Sequence, residues 1–189
     1  MCGIIAYIGK KKGLRKASEV LLKGLKRLEY RGYDSAGIGV IQDDGTVSVV
    51  KKVGKVINLD NAIQESNSSI QDATLGIAHT RWATHGVPSD RNSHPHTNSA
   101  QTVCVVHNGI IENYTTLKQC LQQKGYEFRS DTDTEVLTHL IDEIRTHSQQ
   151  SFQDIVRLAL CQVKGTFGVC FIDAQNPDVL IGARQGAQY

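Results

Sequence analysis

The chain has 189 residues, 40% hydrophobic and 21% charged, with 21 Lys and Arg against 19 Asp and Glu and a formal net charge of +2. That length suits one large domain with a real core, and the near-neutral balance supplies no long-range field to attract nucleic acid or an anionic membrane. The five cysteines (Cys2, Cys104, Cys120, Cys161, Cys170) are odd in number, widely spaced and without a C-x-x-C pair, which argues against a disulfide framework or zinc knuckle and fits a reducing, cytoplasmic compartment.

Residues 3–9 are short, apolar and partly β-branched and predict a buried strand at the N-terminus. This stretch is too short for a signal-peptide core and runs into Lys10, Lys11 and Lys12, and no apolar run approaches membrane-spanning length. Val20, Leu21, Leu25 and Leu28 form a helical face over residues 17–28, with Gly32 at the exit. Residues 37–41 and 47–53 flank Asp44-Gly45, a strong hairpin signal. Residues 75–79 and 102–107 read as two buried strands separated by a long polar stretch, a loop length that is more often functional than idle. Three amphipathic helices follow, carried by Tyr114, Leu117 and Leu121, then Val136, Leu140 and Ile144, then Phe152, Ile155 and Ala159. Strands at 167–172 and 179–183 close the chain. Strands at the start, middle and end with helices grouped between them predict a one-domain α+β layered architecture with mixed or antiparallel sheets.

Four features carry chemistry. The small Cys2 permits removal of Met1, which would leave thiol and α-amine on one residue. A free thiol titrates near about 8.5 and an α-amine near about 7.7–8.0, so the amine can accept the thiol proton while the thiolate attacks. Gly3 leaves room for a substrate. Alone, such a cysteine is more often an inert buried thiol. Asn108-Gly109, expected just after a strand, can donate an amide and a backbone N–H to an oxyanion, although Asn-Gly is also a favoured turn dipeptide. In the run from His79 through Arg81, Trp82, Thr84 and His85 to Gly86, Arg81 can pair with a carboxylate, Thr84 and His85 can add hydrogen bonds and Trp82 can exclude water. Asp133, at the start of a helix, is either a cap or a receptor for an α-ammonium. With Arg81 it would read a zwitterion.

Several segments then coincide in order: Met-Cys-Gly-Ile-Ile, residues 28–37 (Leu-Glu-Tyr-Arg-Gly-Tyr-Asp-Ser-Ala-Gly), residues 79–86, Asn92-Ser93-His94-Pro95-His96, residues 106–113 and Thr132-Asp133-Thr134-Glu135. Together they resemble the class II glutamine amidotransferases, and among them the glutaminase domain of the glutamine–fructose-6-phosphate aminotransferase family. The resemblance covers nearly the whole chain and implies an αββα N-terminal nucleophile hydrolase sandwich. It implies that Cys2 is the nucleophile, Asn108 and Gly109 the oxyanion hole, Arg81, Thr84 and His85 the carboxylate clamp and Asp133 the ammonium partner. Trp82 is similar to the residue that gates ammonia, residues 31–35 to the wall behind the nucleophile, and His94 to a loop histidine that responds to occupancy. L-glutamine is the implied substrate, with no metal or cofactor. Fructose 6-phosphate would be reached only through sugar-isomerase domains that these 189 residues do not contain, in an enzyme that is a homo-oligomer. Against the family, residues 187–189 read Ala-Gln-Tyr where Ser-Pro-Leu and further strands are expected, so the sandwich is expected to be incomplete at its C-terminal side. Two rivals stand beside this reading: a metal site from His79, His85, His94, His96 and His107, whose spacing fits zinc poorly, and a catalytically idle glutamine-binding or assembly domain.

Overall fold

Alternation along the strands decides the layering. The computed structural model describes residues 2–9, 16–42, 44–65, 70, 73–83 and 86–186. In β1 (Gly3–Ile8), Ile4 and Ala6 join one apolar cluster while Ile5 and Tyr7 join another, as a period of two requires of a strand covered on both faces. β4 (Leu75–Arg81) lies between β1 and β2 (Ser35–Ile41), and β3 (Val47–Val53) takes the far edge, giving an antiparallel sheet of order β1-β4-β2-β3. The second sheet, order β5-β6-β7-β8, is built from β5 (His96–Thr97), β6 (Val103–Ile111), β7 (Gly165–Asp173) and β8 (Leu180–Gln185), again antiparallel throughout.

Ile41, Leu75 and Ile77 from the first sheet meet Cys104, Val106 and Ile172 from the second, forming the apolar layer between them. The outer face of the first sheet packs on α1 (Ala17–Leu28) and α2 (Val56–Glu65) through Leu21, Leu25, Val56, Leu59 and Ile63. Leu21 and Leu25 are completely buried, each contributing roughly 1.5–3 kcal/mol of apolar transfer. Glu19 in the first turn of α1 and Lys26 and Arg27 in its last complement the helix dipole. The outer face of the second sheet packs on α3 (Tyr114–Gln123), α4 (Glu135–His147) and α5 (Phe152–Cys161), where Leu121, Leu137, Ile141, Phe152 and Ile155 meet Val103, Val105 and Phe171. Ser151 caps α5, its hydroxyl accepting from the Asp154 N–H at 3.2 Å. The result is four layers, αββα.

Three expectations change. Strand β6 does not stop at His107: Asn108 and Gly109 remain in the ladder opposite Gly168 and Phe167, so the Asn-Gly pair is a strand interior and not a turn. Gly109 has φ +126°, and a Cβ there would sit 2.0 Å from the Thr166 carbonyl oxygen, which only glycine permits. Helix α2 and the short β5 were not expected. Asp133 precedes α4, which begins at Glu135, and it does not cap that helix. No described helix is long and apolar enough to cross a membrane, and the five cysteines are free thiols.

The loop joining β4 to β5 is held against the first sheet by contact at Gly37, where a Cβ would lie 2.0 Å from the His94 carbonyl oxygen. Gly37→Ala should therefore lower stability by about 2–3 kcal/mol, the upper range for overpacking, read as a fall in urea midpoint at constant m. Gly168→Ala, where the added carbon meets nothing within 4 Å, should change the midpoint little.

Candidate active site

At one end of the sandwich the inter-sheet layer turns polar. The face of β4 that presents Leu75 and Ile77 continues with His79 and Arg81, and the face of β6 that presents Cys104 and Val106 continues with Asn108. Gly3 pairs with Thr80, so Cys2 falls beside Arg81 at the same end. A cavity of about 300 Å³ opens there, lined by Cys2, Arg81, Trp82, His94, Gly109 and Asp133 together with His107, Ile110, Thr132, Thr134 and Thr166. Asn108 is not part of its lining. Thr84 and His85, expected in the carboxylate clamp, lie outside the described residues, as does Met1.

The Cys2 Sγ accepts from the Trp82 N–H at 3.2 Å and lies 3.6 Å from the Trp82 carbonyl oxygen. Residues 32–34 brace that backbone: the Asp34 N–H donates to the Arg81 carbonyl at 2.8 Å, the Asp34 carboxylate accepts from the Ala83 N–H, and the Trp82 ring covers Gly32. The indole stays 55% exposed at the cavity rim. Arg81 is buried and donates to the Gly86 carbonyl at 3.3 Å. Burial pulls its guanidinium down from the usual value, opposed by Asp34, Cys2 and Asp133, and it remains a cation.

Asp133 is placed by the second sheet and the loop before α4. One carboxylate oxygen, Oδ2, accepts from the Ile111 N–H at 2.8 Å, and the Thr134 hydroxyl donates to Oδ1 at 3.3 Å. With its single proton so used, Thr134 Oγ1 offers two lone pairs to His94 Nε2 at 2.8 Å and His107 Nδ1 at 2.9 Å, both of which donate. The loop itself hangs on Glu135, which accepts from the Arg129 N–H at 2.8 Å, the Ser130 N–H at 2.7 Å and the Ser130 hydroxyl at 2.6 Å. Burial alone would push the Glu135 carboxyl up, but His139, Arg129 and Ser130 outweigh it and hold it at about 2. Asn92 ties in the neighbouring loop, its amide donating to the Val87 carbonyl at 3.0 Å and accepting from the Asp131 N–H at 3.0 Å. These supporting roles of Asn92, Thr134 and Glu135 were missed from sequence. All three stand inside the recognised motifs, but nothing local says which backbone they hold.

The His94 ring lies between those of His79 and His96, tilted by 55° to His79 at a centroid distance of 4.3 Å and edge to face with His96 at 4.8 Å. All are buried, and desolvation pushes each below the ordinary imidazole value, His79 to about 3. Their nearest polar partners are Asn108, Thr134 and Thr132. Among the described residues no group of three or more His, Cys, Asp or Glu side chains is arranged to hold a metal ion.

The site thus sets a thiol, a guanidinium and a carboxylate around one small cavity. A model of the glutamine amidotransferase domain family matches residues 79–186, more than half of the chain. The chain belongs to the glutamine amidotransferase domain family. The glutamine–fructose-6-phosphate aminotransferase (isomerizing) of Chlorobaculum tepidum is 52% identical over 188 residues, covering 99% of this chain and 30% of that protein. The namesake enzyme of Bacteroides thetaiotaomicron is 49% identical over 187 residues, covering 99% and 29%. Among solved structures, the glutamine phosphoribosylpyrophosphate amidotransferase of B. subtilis, complexed with ADP and GMP, aligns with a TM-score of 0.70 at 26% identity, covering 90% of this chain and 35% of that one. The chain therefore spans about 30% of the length of the curated relatives it matches. The amidotransferase domain has the αββα N-terminal nucleophile hydrolase fold.

The neutral imidazoles make the amidotransferase domain acid-sensitive. In the unfolded chain His79, His94 and His96 would take up protons near about 6.5, whereas in the folded chain they do so only at lower pH. Their contribution is fully present above that value and is lost as pH falls below it, for His79 down to about 3. Each costs about 1.4 kcal/mol per pH unit well below 6.5. The melting temperature should therefore drop between pH 7 and pH 5. A flat profile would show that these rings take up protons as readily in the folded state as in the unfolded chain.

Proposed function

We propose that this amidotransferase domain hydrolyses the side-chain amide of L-glutamine at Cys2, as the glutaminase part of a longer cytoplasmic enzyme that passes the ammonia to fructose 6-phosphate and forms glucosamine 6-phosphate. The observation that supports this most is the convergence of Cys2, Arg81 and Asp133 on one cavity. A cation, an anion and a thiol around one cavity suit the α-carboxylate and α-ammonium of an amino acid whose side chain reaches the sulfur. The names of the curated relatives support the acceptor.

In this reading removal of Met1 frees the Cys2 α-amine, which takes the thiol proton as Sγ attacks the glutamine side-chain carbonyl carbon. The oxyanion is received by the Gly109 N–H and the Asn108 amide. Collapse breaks the C–N bond, and the proton held on the amine goes to the leaving nitrogen, releasing ammonia and leaving a γ-glutamyl thioester. Water, deprotonated by the same amine, then attacks the thioester carbon, giving glutamate and the free thiol. Arg81, with Thr84 and His85, holds the substrate carboxylate, Asp133 its ammonium, and His94 senses occupancy through Thr134. Trp82, half in solvent at the rim, controls where ammonia leaves.

Cys2→Ala should reduce glutamate release by at least about a thousandfold, as loss of a nucleophile does. Equal release from both proteins would sink the thiol mechanism. Asp133→Asn removes a charge-assisted hydrogen bond of about 1.5–3 kcal/mol, so KM for glutamine should rise roughly tenfold to a hundredfold. A form whose intact mass retains Met1 should be inactive, because the base is then an amide nitrogen.

A further inference from the structure

One buried group has no part in the mechanism above. His79 is completely buried on the inter-sheet face of β4, and its Nε2 lies 2.6 Å from Asn108 Oδ1 across the gap between the sheets. A contact that short, with an amide oxygen as one partner, needs a proton on Nε2. The opposite nitrogen, Nδ1, has no hydrogen bond of normal geometry, which is tolerable for a bare lone pair. We propose that His79 is a positioning residue for the oxyanion site: its Nε2–H donates to Asn108 Oδ1, which commits the amide oxygen to the sheet interior and turns the Asn108 Nδ2–H groups toward the reacting carbonyl.

The reason such a residue is needed lies in the amide itself. The two ends of an Asn side chain are nearly equal in shape and opposite in hydrogen-bonding sense. An unheld amide can turn its oxygen toward the substrate, where it would repel the developing oxyanion. Three further facts fit the assignment. The imidazole is neutral, since burial carries it down to about 3, so the ring has one proton to place. The His94 ring lies against His79 at a centroid distance of 4.3 Å, tilted by 55°, and limits the room in which the imidazole can turn. Asn108 stays within β6, in register with Gly168, so its backbone is held and the free variable left is the turn of its side chain. The competing arrangement puts the ring proton on Nδ1, toward the His107 backbone, and turns the Asn108 amide over.

The inference rests on Asn108 as an oxyanion donor, and the test separates the two. In the full chain with Met1 removed, loss of an oxyanion donor by Asn108→Ala should lower kcat about a hundredfold or more. His79→Leu should lower kcat at least about tenfold, within that ceiling, with KM for glutamine unchanged within about twofold, since the zwitterion clamp is untouched. His79→Gln, which can present an N–H to Oδ1, should recover most of the loss. The double variant should be no slower than Asn108→Ala alone, because His79 acts only through that amide. Retention of kcat by Asn108→Ala would overturn the oxyanion reading and the inference with it. A normal kcat in His79→Leu beside a disabled Asn108→Ala would overturn the inference alone, as would a slower double variant. If His79→Leu does not fold, ¹⁵N NMR of the imidazole in the unsubstituted chain decides: a protonated Nε2 and bare Nδ1 at neutral pH support the assignment, and a protonated Nδ1 overturns it.

Discussion

A polar side chain shut between two sheets loses its water, and each donor or acceptor left unmatched there costs about 1–3 kcal/mol. The site end of this sandwich depends on meeting that constraint many times over. Asp133 is matched by the Ile111 N–H and Thr134, Glu135 by Arg129 and Ser130, and Asn108 by His79. Asp133 and Asn108 draw their partners from β6 and β4, whereas Glu135 fastens its own loop through Arg129 and Ser130.

The same alternation that makes the apolar layer makes the site. Ile4, Leu75, Ile77, Cys104 and Val106 fill the gap between the sheets. Continuing those strand faces toward one end brings in Cys2, His79, Arg81 and Asn108 without any change of backbone course. His79, Arg81 and Asn108 therefore sit on strands, while Cys2, Trp82 and Asp133 come from adjoining segments, and the braced residues 32–34 hold Trp82 in turn. Among the described residues one cation, Arg81, and one anion, Asp133, line the cavity, the charge pattern of a complement to a zwitterion.

Much of the fold was legible because its signals are local. The spacing of Val20, Leu21, Leu25 and Leu28 marked α1, and Asp44-Gly45 marked the β2–β3 hairpin. Helix α2 was missed although Val56, Leu59 and Ile63 carry helical spacing, because it follows the hairpin with a short, polar-rich sequence. The end of β6 was misread for a different reason. Asn-Gly ordinarily turns a chain, and only the partner strand β7, more than 50 residues later, shows that Asn108 and Gly109 stay paired and that the Thr166 carbonyl excludes a side chain at Gly109.

By itself the sequence determined the amidotransferase family and the order of most elements, since those depend on short-range periodicity and the order of motifs. It could not say which side chain holds which. The bond between His79 and Asn108, the Thr134 hydroxyl shared by two imidazoles, and the use of Asp133 to meet the Ile111 N–H instead of capping α4 all join residues about 20 to 40 positions apart. Each is set by two sheets packing face to face, where the direction of a side chain is decided by strand register and the identity of its partner by what the opposite layer brings within 3 Å.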